Sequence, residues 1–251
     1  MPKLRGLIKL EGSIGDLTFF KSKNGYIVKE KTVISAERRA TDPKFERTRE
    51  NASEFGRAGK AGKVLRNAIR LLLKNAKDDK MNNRLTQTMM KVVKADTTSI
   101  RGQRNVLDGE TELLEGFNCN TNAKLETTLY AAYTTEINRV TGTLTVNIPS
   151  FVPARDIVTP EGCTHFKIVS CGSEIDFEAE AFITDTAASN MLPLTNEATI
   201  AISLSNTVTA NSVHPLFLLL GIQFYQQVNG IDYPLKNGAF NALTIIKVSG
   251  V

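Results

Sequence analysis

The stretch DPKFERTRENASEFGRAGKAGKVLRNAIRLLLKNAKDDKMNNRLTQTMMKVVK, residues 42–94, sets the architecture, because it reads as two consecutive basic helices with β-rich sequence on either side. Asp42 offers a capping carboxylate and Pro43 takes the first helical position, where a missing N–H costs nothing. From there Phe45, Thr48, Ala52, Phe55, Gly59, Gly62, Leu65, Ile69, Leu72 and Ala76 recur at steps of three and four, the stripe of one buried face. Gly56, Gly59 and Gly62 interrupt it, each costing about 1 kcal/mol relative to Ala. Two explanations are open, a break in the helix or a second backbone close enough to need the missing side chains, and close approach is the expectation. The pattern stops near Asp78 and Asp79 and restarts with Met81, Leu85, Met89 and Val92, so an antiparallel helical hairpin is expected. Its outer faces carry Arg57, Lys60, Lys63, Arg66, Arg70, Lys74, Lys77, Lys80, Arg84, Lys91 and Lys94, either as a solvated face or as a surface for a charged partner.

A chain of 251 residues fits one large or two modest domains, and 41% hydrophobic with 23% charged residues argues against wholesale disorder. The formal charge of +5 hides a split. Residues 1–104 hold 25 Lys plus Arg against 11 Asp plus Glu, a local +14, and residues 105–251 hold 6 against 15, a local −9. The basic part suits nucleic acid or an anionic surface, and equally the acidic part of its own chain or of another copy. Met-Pro-Lys-Leu-Arg-Gly at the start lacks the apolar core of a signal peptide. The longest apolar run, Leu216 to Ile222, is far short of the roughly 20 residues a membrane helix needs. With Cys119, Cys163 and Cys171 too few and odd in number for a disulfide framework, a cytoplasmic protein, or part of a particle assembled in the cytoplasm, is expected.

Upstream, residues 14–22 and 26–34 alternate as strands around Asn24-Gly25, a hairpin signal, after a first apolar segment at Leu7, Ile8 and Leu10. A lone hairpin is marginal in water, so its Phe19, Phe20, Tyr26 and Ile27 are expected to pack on the helices, on the C-terminal β domain or on another subunit, and the ribbon suits an arm exchanged between copies. Downstream of a polar connector, residues 95–109, eight strand-like runs are expected at about 112–119, 125–138, 142–148, 165–170, 174–184, 198–204, 215–228 and 240–248. Asn229-Gly230 and Asn237-Gly238 are further turn signals near the end. The expected fold class is α+β: a β-hairpin and basic helical hairpin over residues 1–104, then an antiparallel β-sandwich over residues 105–251.

The chemistry-bearing motifs fail one by one. A phosphate-binding loop needs Gly, four residues, then Gly-Lys-Ser/Thr, but Gly62-Lys63 is followed by Val64 and the first position holds Arg57. Neither Gly-x-Ser-x-Gly nor His-Glu-x-x-His occurs. Cys163, His165, Cys171 and His214 match no zinc spacing, so no metal and no cofactor is expected. Glu174, Asp176, Glu178 and Glu180 alternate with Ile175, Phe177, Ala179 and Ala181, which predicts four carboxylates on one strand face, solvated or receiving a basic ribbon or helix. A single in-line stripe in a chain without Trp does not suit a glycosidase or a small-molecule site. For nucleic acid the case is electrostatic, with no aromatic-rich sheet and no helix-turn-helix or finger spacing.

Three stretches go together: Gly15-Asp16-Leu17-Thr18-Phe19-Phe20-Lys21; Asp42 to Asn51 with Glu54-Phe55-Gly56 and Lys60-Ala61-Gly62-Lys63; and His214-Pro215-Leu216-Phe217 through Gly221-Ile222 and Val228-Asn229-Gly230 to Leu235-Lys236-Asn237-Gly238. Together they resemble a Bacteroidetes-type family of proteins of about this length, over essentially the whole chain. The resemblance implies no activity and carries over no functional residue. The expectation from the residues themselves is a non-enzymatic structural protein forming a homo-oligomer, in one version a phage-derived or injection-particle component. The alternative is a nucleic-acid-associated protein using Arg57, Lys60, Lys63, Arg66, Arg70, Lys74 and Lys77.

Overall fold

In the computed structural model, which describes residues 9–23, 25–31, 34–235 and 240–250, β1 (Gly12–Ile14), β2 (Leu17–Ser22) and β3 (Gly25–Glu30) form an antiparallel sheet in that order. Leu7, Ile8, Asn24, Asn237 and Gly238 lie outside the described residues. The β2–β3 register pairs Phe19 with Val28 and Phe20 with Ile27. Ser35 caps α1 (Ala36–Thr41), its hydroxyl accepting the Arg38 N–H at 3.1 Å. Asp42 then caps a 3₁₀ turn at Pro43–Phe45, its carboxylate accepting the Lys44 N–H at 2.9 Å, as the Asp-Pro start requires. This turn leads into α2 (Glu46–Ala68). Between Arg49 and Glu50 the chain divides into two compact units, whereas the charge pattern suggests a boundary at residue 104.

In the second unit α2 runs unbroken past Gly56, Gly59 and Gly62. A Cβ added at Gly56 or Gly59 would meet nothing within 4 Å, and one at Gly62 would meet Leu85 at an ordinary 3.7 Å. Both sequence explanations for these glycines are therefore corrected: the helix neither breaks there nor receives another backbone. It ends instead at Ile69, with φ −101° and ψ 13°, ahead of the single turn α3 (Arg70–Leu73). The inward face also differs from the expected stripe in its first half. Glu54, Ala58, Ala61, Leu65 and Ala68 are buried while Phe55 is 60% exposed. Glu54 tolerates burial because its carboxylate accepts the Gly102 N–H at 2.8 Å. α4 (Met81–Ala95) buries Met81, Leu85, Met89, Val92 and Val93, the face its periodicity predicts.

After Thr111–Leu114, a 3₁₀ turn where a strand was expected, come α5 (Leu125–Thr128), β4 (Thr134–Asn138), β5 (Thr143–Ile148), α6 (Pro153–Asp156), β6 (His165–Asp176), β7 (Ala181–Ala188) and β8 (Leu192–Pro193). β9 (Ile202–Thr207), β10 (Leu216–Val228), β11 (Ile231–Pro234) and β12 (Ala242–Ser249) complete the described elements. β10 pairs with β6 on one edge and with β12 and β11 on the other, and β6 pairs in turn with β7 and β8. β4, β5 and β9 make a separate antiparallel sheet. The β10–β11 turn is the Asn229-Gly230 pair, both residues at positive φ, as the sequence signal predicts.

Alternation along β10 joins two cores. Leu216, Leu218, Leu220, Ile222 and Phe224 share a buried cluster with Leu144, Val146 and Leu204 of β5 and β9. Phe217 and Leu219 share the other with Leu65, Leu85 and Met89 of the helices. A strand buried on both faces reads as an unbroken apolar run, which is why Leu216 to Ile222 stands out. No helix among the described residues is long and apolar enough to cross a membrane.

Candidate interaction surfaces

The basic helical residues sort into engaged and unengaged groups. Arg57 donates from Nη1 to the carbonyls of Gly102 and Arg104 at 2.9 and 2.8 Å, tying α2 to the connector. Arg84 bonds Asp78 and the carbonyls of Asn118 and Cys119, and its guanidinium lies 5.3 Å from the Phe117 ring centre. Lys60 pairs with Glu180 at 2.5 Å, both side chains well exposed, a geometry worth little stability. Among the described residues, Lys63, Arg66, Arg70, Lys74 and Lys77 make no side-chain hydrogen bond or ion pair.

The acidic stripe is a correction. β6 ends at Asp176, and residues 177–180 form the turn into β7, with Glu180 at φ 56°. Glu174 is buried: its carboxylate accepts the Ser212 hydroxyl at 2.6 Å and the Thr209 N–H at 3.1 Å. Burial pushes the Glu174 pKa up, but these two partners, with nearby His214, outweigh it and hold the carboxyl below its ordinary value. Asp176 accepts the N–H groups of Glu178 and Ala179, both at 2.9 Å, so it shapes the turn. The strand alternation assumed by the pattern fails because these backbone donors are satisfied locally. Only Glu178 and Glu180 of the four remain as exposed carboxylates, and Glu180 already meets Lys60 of the same chain.

The residues expected to form an exchange arm, Phe19, Phe20, Tyr26 and Ile27, are all half-buried, and no described residue before Glu50 is buried. The register separates two faces. Ile14, Leu17, Phe19, Tyr26 and Val28 share one with Lys21 and Glu30 toward its ends, while Phe20 and Ile27 share the other with Ser13, Thr18 and Lys29, the last 5.7 Å from the Phe20 ring centre.

The cysteines and histidines do not converge. Cys119 and Cys171 are buried in the helix-side core, where burial pushes both thiols up to about 12, and Cys163 donates to the His165 carbonyl. Among the described residues no group of His, Cys, Asp and Glu is placed to hold a metal ion. The Ser212 hydroxyl donates to Glu174 and the His214 ring lies 3.8 Å from Asp176, so neither is turned to the other as nucleophile and base.

Two polar centres escaped the sequence pattern. Arg139 donates to the carbonyls of Ser212, His214, Ser249 and Gly250, joining the segment before β10 to the end of β12. Asp96 accepts the N–H groups of Thr98, Ser99 and Asn105. Asp96-x-Thr-Ser is a legible turn signal, but nothing near Arg139 in sequence marks it. No protein-family model, curated protein or solved structure matches the chain.

Proposed function

We propose that this is a non-enzymatic structural protein that assembles with copies of itself through the sheet of its first unit. One observation carries the reading: that unit has a three-stranded sheet with an apolar face and no buried residue among those described. Such a sheet needs a surface to cover its apolar face. The occupant is a second copy, on charge grounds. Residues 1–49 hold 12 Lys plus Arg against 6 Asp plus Glu, and residues 105–251 carry −9, so the arm of one copy suits the β-rich part of another. Among the described residues β1 and β3 each pair only with β2, so both outer edges suit strand addition. On this reading the two sheets of the second unit form a sandwich that serves as the rigid body of the particle. A phage-derived or injection-particle component is its concrete form.

Size-exclusion chromatography with light scattering on the full chain tests this. The wild type is expected above the 27.5 kDa of one chain. Phe19→Ser with Val28→Ser, both on the apolar face, is expected to return it toward that mass. A wild type that stays monomeric at low and high salt, at high protein concentration, overturns the reading.

A further inference from the structure

Where α2 gives way to α3, four of the five unengaged cations, all but Lys63, gather around one concavity of about 550 Å³. Arg66, Arg70, Lys74, Lys77 and Asn82 line it, with apolar surface from Leu71 and Leu73. No carboxylate lines it, and the nearby Asp78 is committed to Arg84, Thr121 and Lys80. Arg70 and Lys74 are spaced i to i+4 with the Lys74 N–H donating to the Arg70 carbonyl, an arrangement in which like charges oppose helix formation. The turn at Ile69 redirects the chain between Arg66 and Arg70, so both reach the same hollow.

We propose that this concavity binds a chain of consecutive phosphates. Two guanidinium forks and two ammonium groups match phosphate oxygens in geometry and charge, and the volume exceeds what one phosphate fills. No aromatic ring lines the hollow to stack a base, so recognition rests on the phosphates and is indifferent to base sequence. Arg57 and Lys60, which belong to the same basic stripe in sequence, take no part because their partners lie within the chain. Single-stranded nucleic acid and inorganic polyphosphate share this chemistry.

The test is fluorescence anisotropy of the full chain with labelled oligothymidylate, and competition by sodium polyphosphate, across a salt series. Binding is expected at about 50 mM salt, weakening log-linearly as salt rises. Arg70→Glu with Lys74→Glu is expected to weaken binding by about 100-fold or more and to flatten the salt slope by about 1.4, the loss of two single-strand phosphate contacts. Lys94→Glu with Lys124→Glu makes the same charge change at exposed sites outside the hollow, and is expected to weaken it less than about 3-fold. Should the reversal disturb folding by circular dichroism, Arg70→Gln with Lys74→Gln gives the same ordering with smaller effects. Displacement of the oligonucleotide by polyphosphate supports a shared phosphate site, and binding of one probe alone, lost in the variant, names that source. Failure of both probes at about 50 mM salt, or equal weakening by both pairs of substitutions, overturns the proposal.

Discussion

Asp96 is nearly inaccessible, yet burial alone would push its carboxyl up, and the opposite holds. The N–H groups of Thr98, Ser99 and Asn105 and the Thr98 hydroxyl overcome desolvation and hold it far below the ordinary carboxylate range. A folded pKa below the unfolded one means the contribution is full above the ordinary carboxylate value and is lost as pH falls below it. Asp96→Asn is accordingly expected to cost about 1.5–3 kcal/mol at neutral pH, measured by urea unfolding, with the gap to wild type narrowing below about pH 4. A gap independent of pH would contradict this account. The thiols offer a second residue-level test: raised to about 12, Cys119 and Cys171 should resist iodoacetamide at mildly alkaline pH until the protein is unfolded. Half-buried Cys163 is expected to label first, as read by peptide mass spectrometry.

At the scale of elements, two glycines are expected to respond oppositely to the same methyl group. Gly59 lies inside α2 with open space around it, so Gly59→Ala should stabilise by about 1 kcal/mol through helix propensity alone. Gly172 sits mid-strand in β6, where a Cβ would come within 2.7 Å of the Asn206 Cβ. Asn206 cannot retreat, because its amide bridges the Ser170 hydroxyl and the Asp185 carbonyl. Gly172→Ala should therefore cost about 1–3 kcal/mol, and a melting temperature at or above wild type would show that the β6–β9 approach is looser than described. The same contact explains why Cys171-Gly172 reads as a strand break and yet β6 continues through it. A glycine in a strand marks close approach as readily as a turn.

For the whole molecule, the contrast between a unit with no buried residue among those described and one with two buried clusters predicts unequal protection. In hydrogen exchange, amides of β10 and β6 should be slow at every protein concentration, because opening them means disrupting both cores. If the first unit assembles as proposed, amides of β2 and β3 should exchange quickly when dilute and slow as concentration rises, because assembly would add stability by mass action. Protection in β2 and β3 that does not change with concentration would mean the first unit is stable without a second copy.

Helix α4, strand β10 and the Asn229-Gly230 turn were legible in sequence because each leaves a local mark: a one-sided apolar period, an unbroken apolar run, two residues tolerant of positive φ. The basic stripe and the apolar arm were legible as composition. Tertiary structure alone decided which charges are available. Glu174 looks like an exposed carboxylate until Ser212 and Thr209 arrive from elsewhere in the fold, whereas Asp176 is taken up locally by the N–H groups of residues 178 and 179. Arg57 and Arg70 look equivalent until the connector places carbonyls against the first and none against the second. Glu54 and Phe55 compete for the same inward face, and the Gly102 N–H, 48 residues on, tips the choice to the carboxylate. Periodicity reports how a segment relates to itself, whereas the state of a charge depends on partners distant in sequence, which only the folded chain brings within reach.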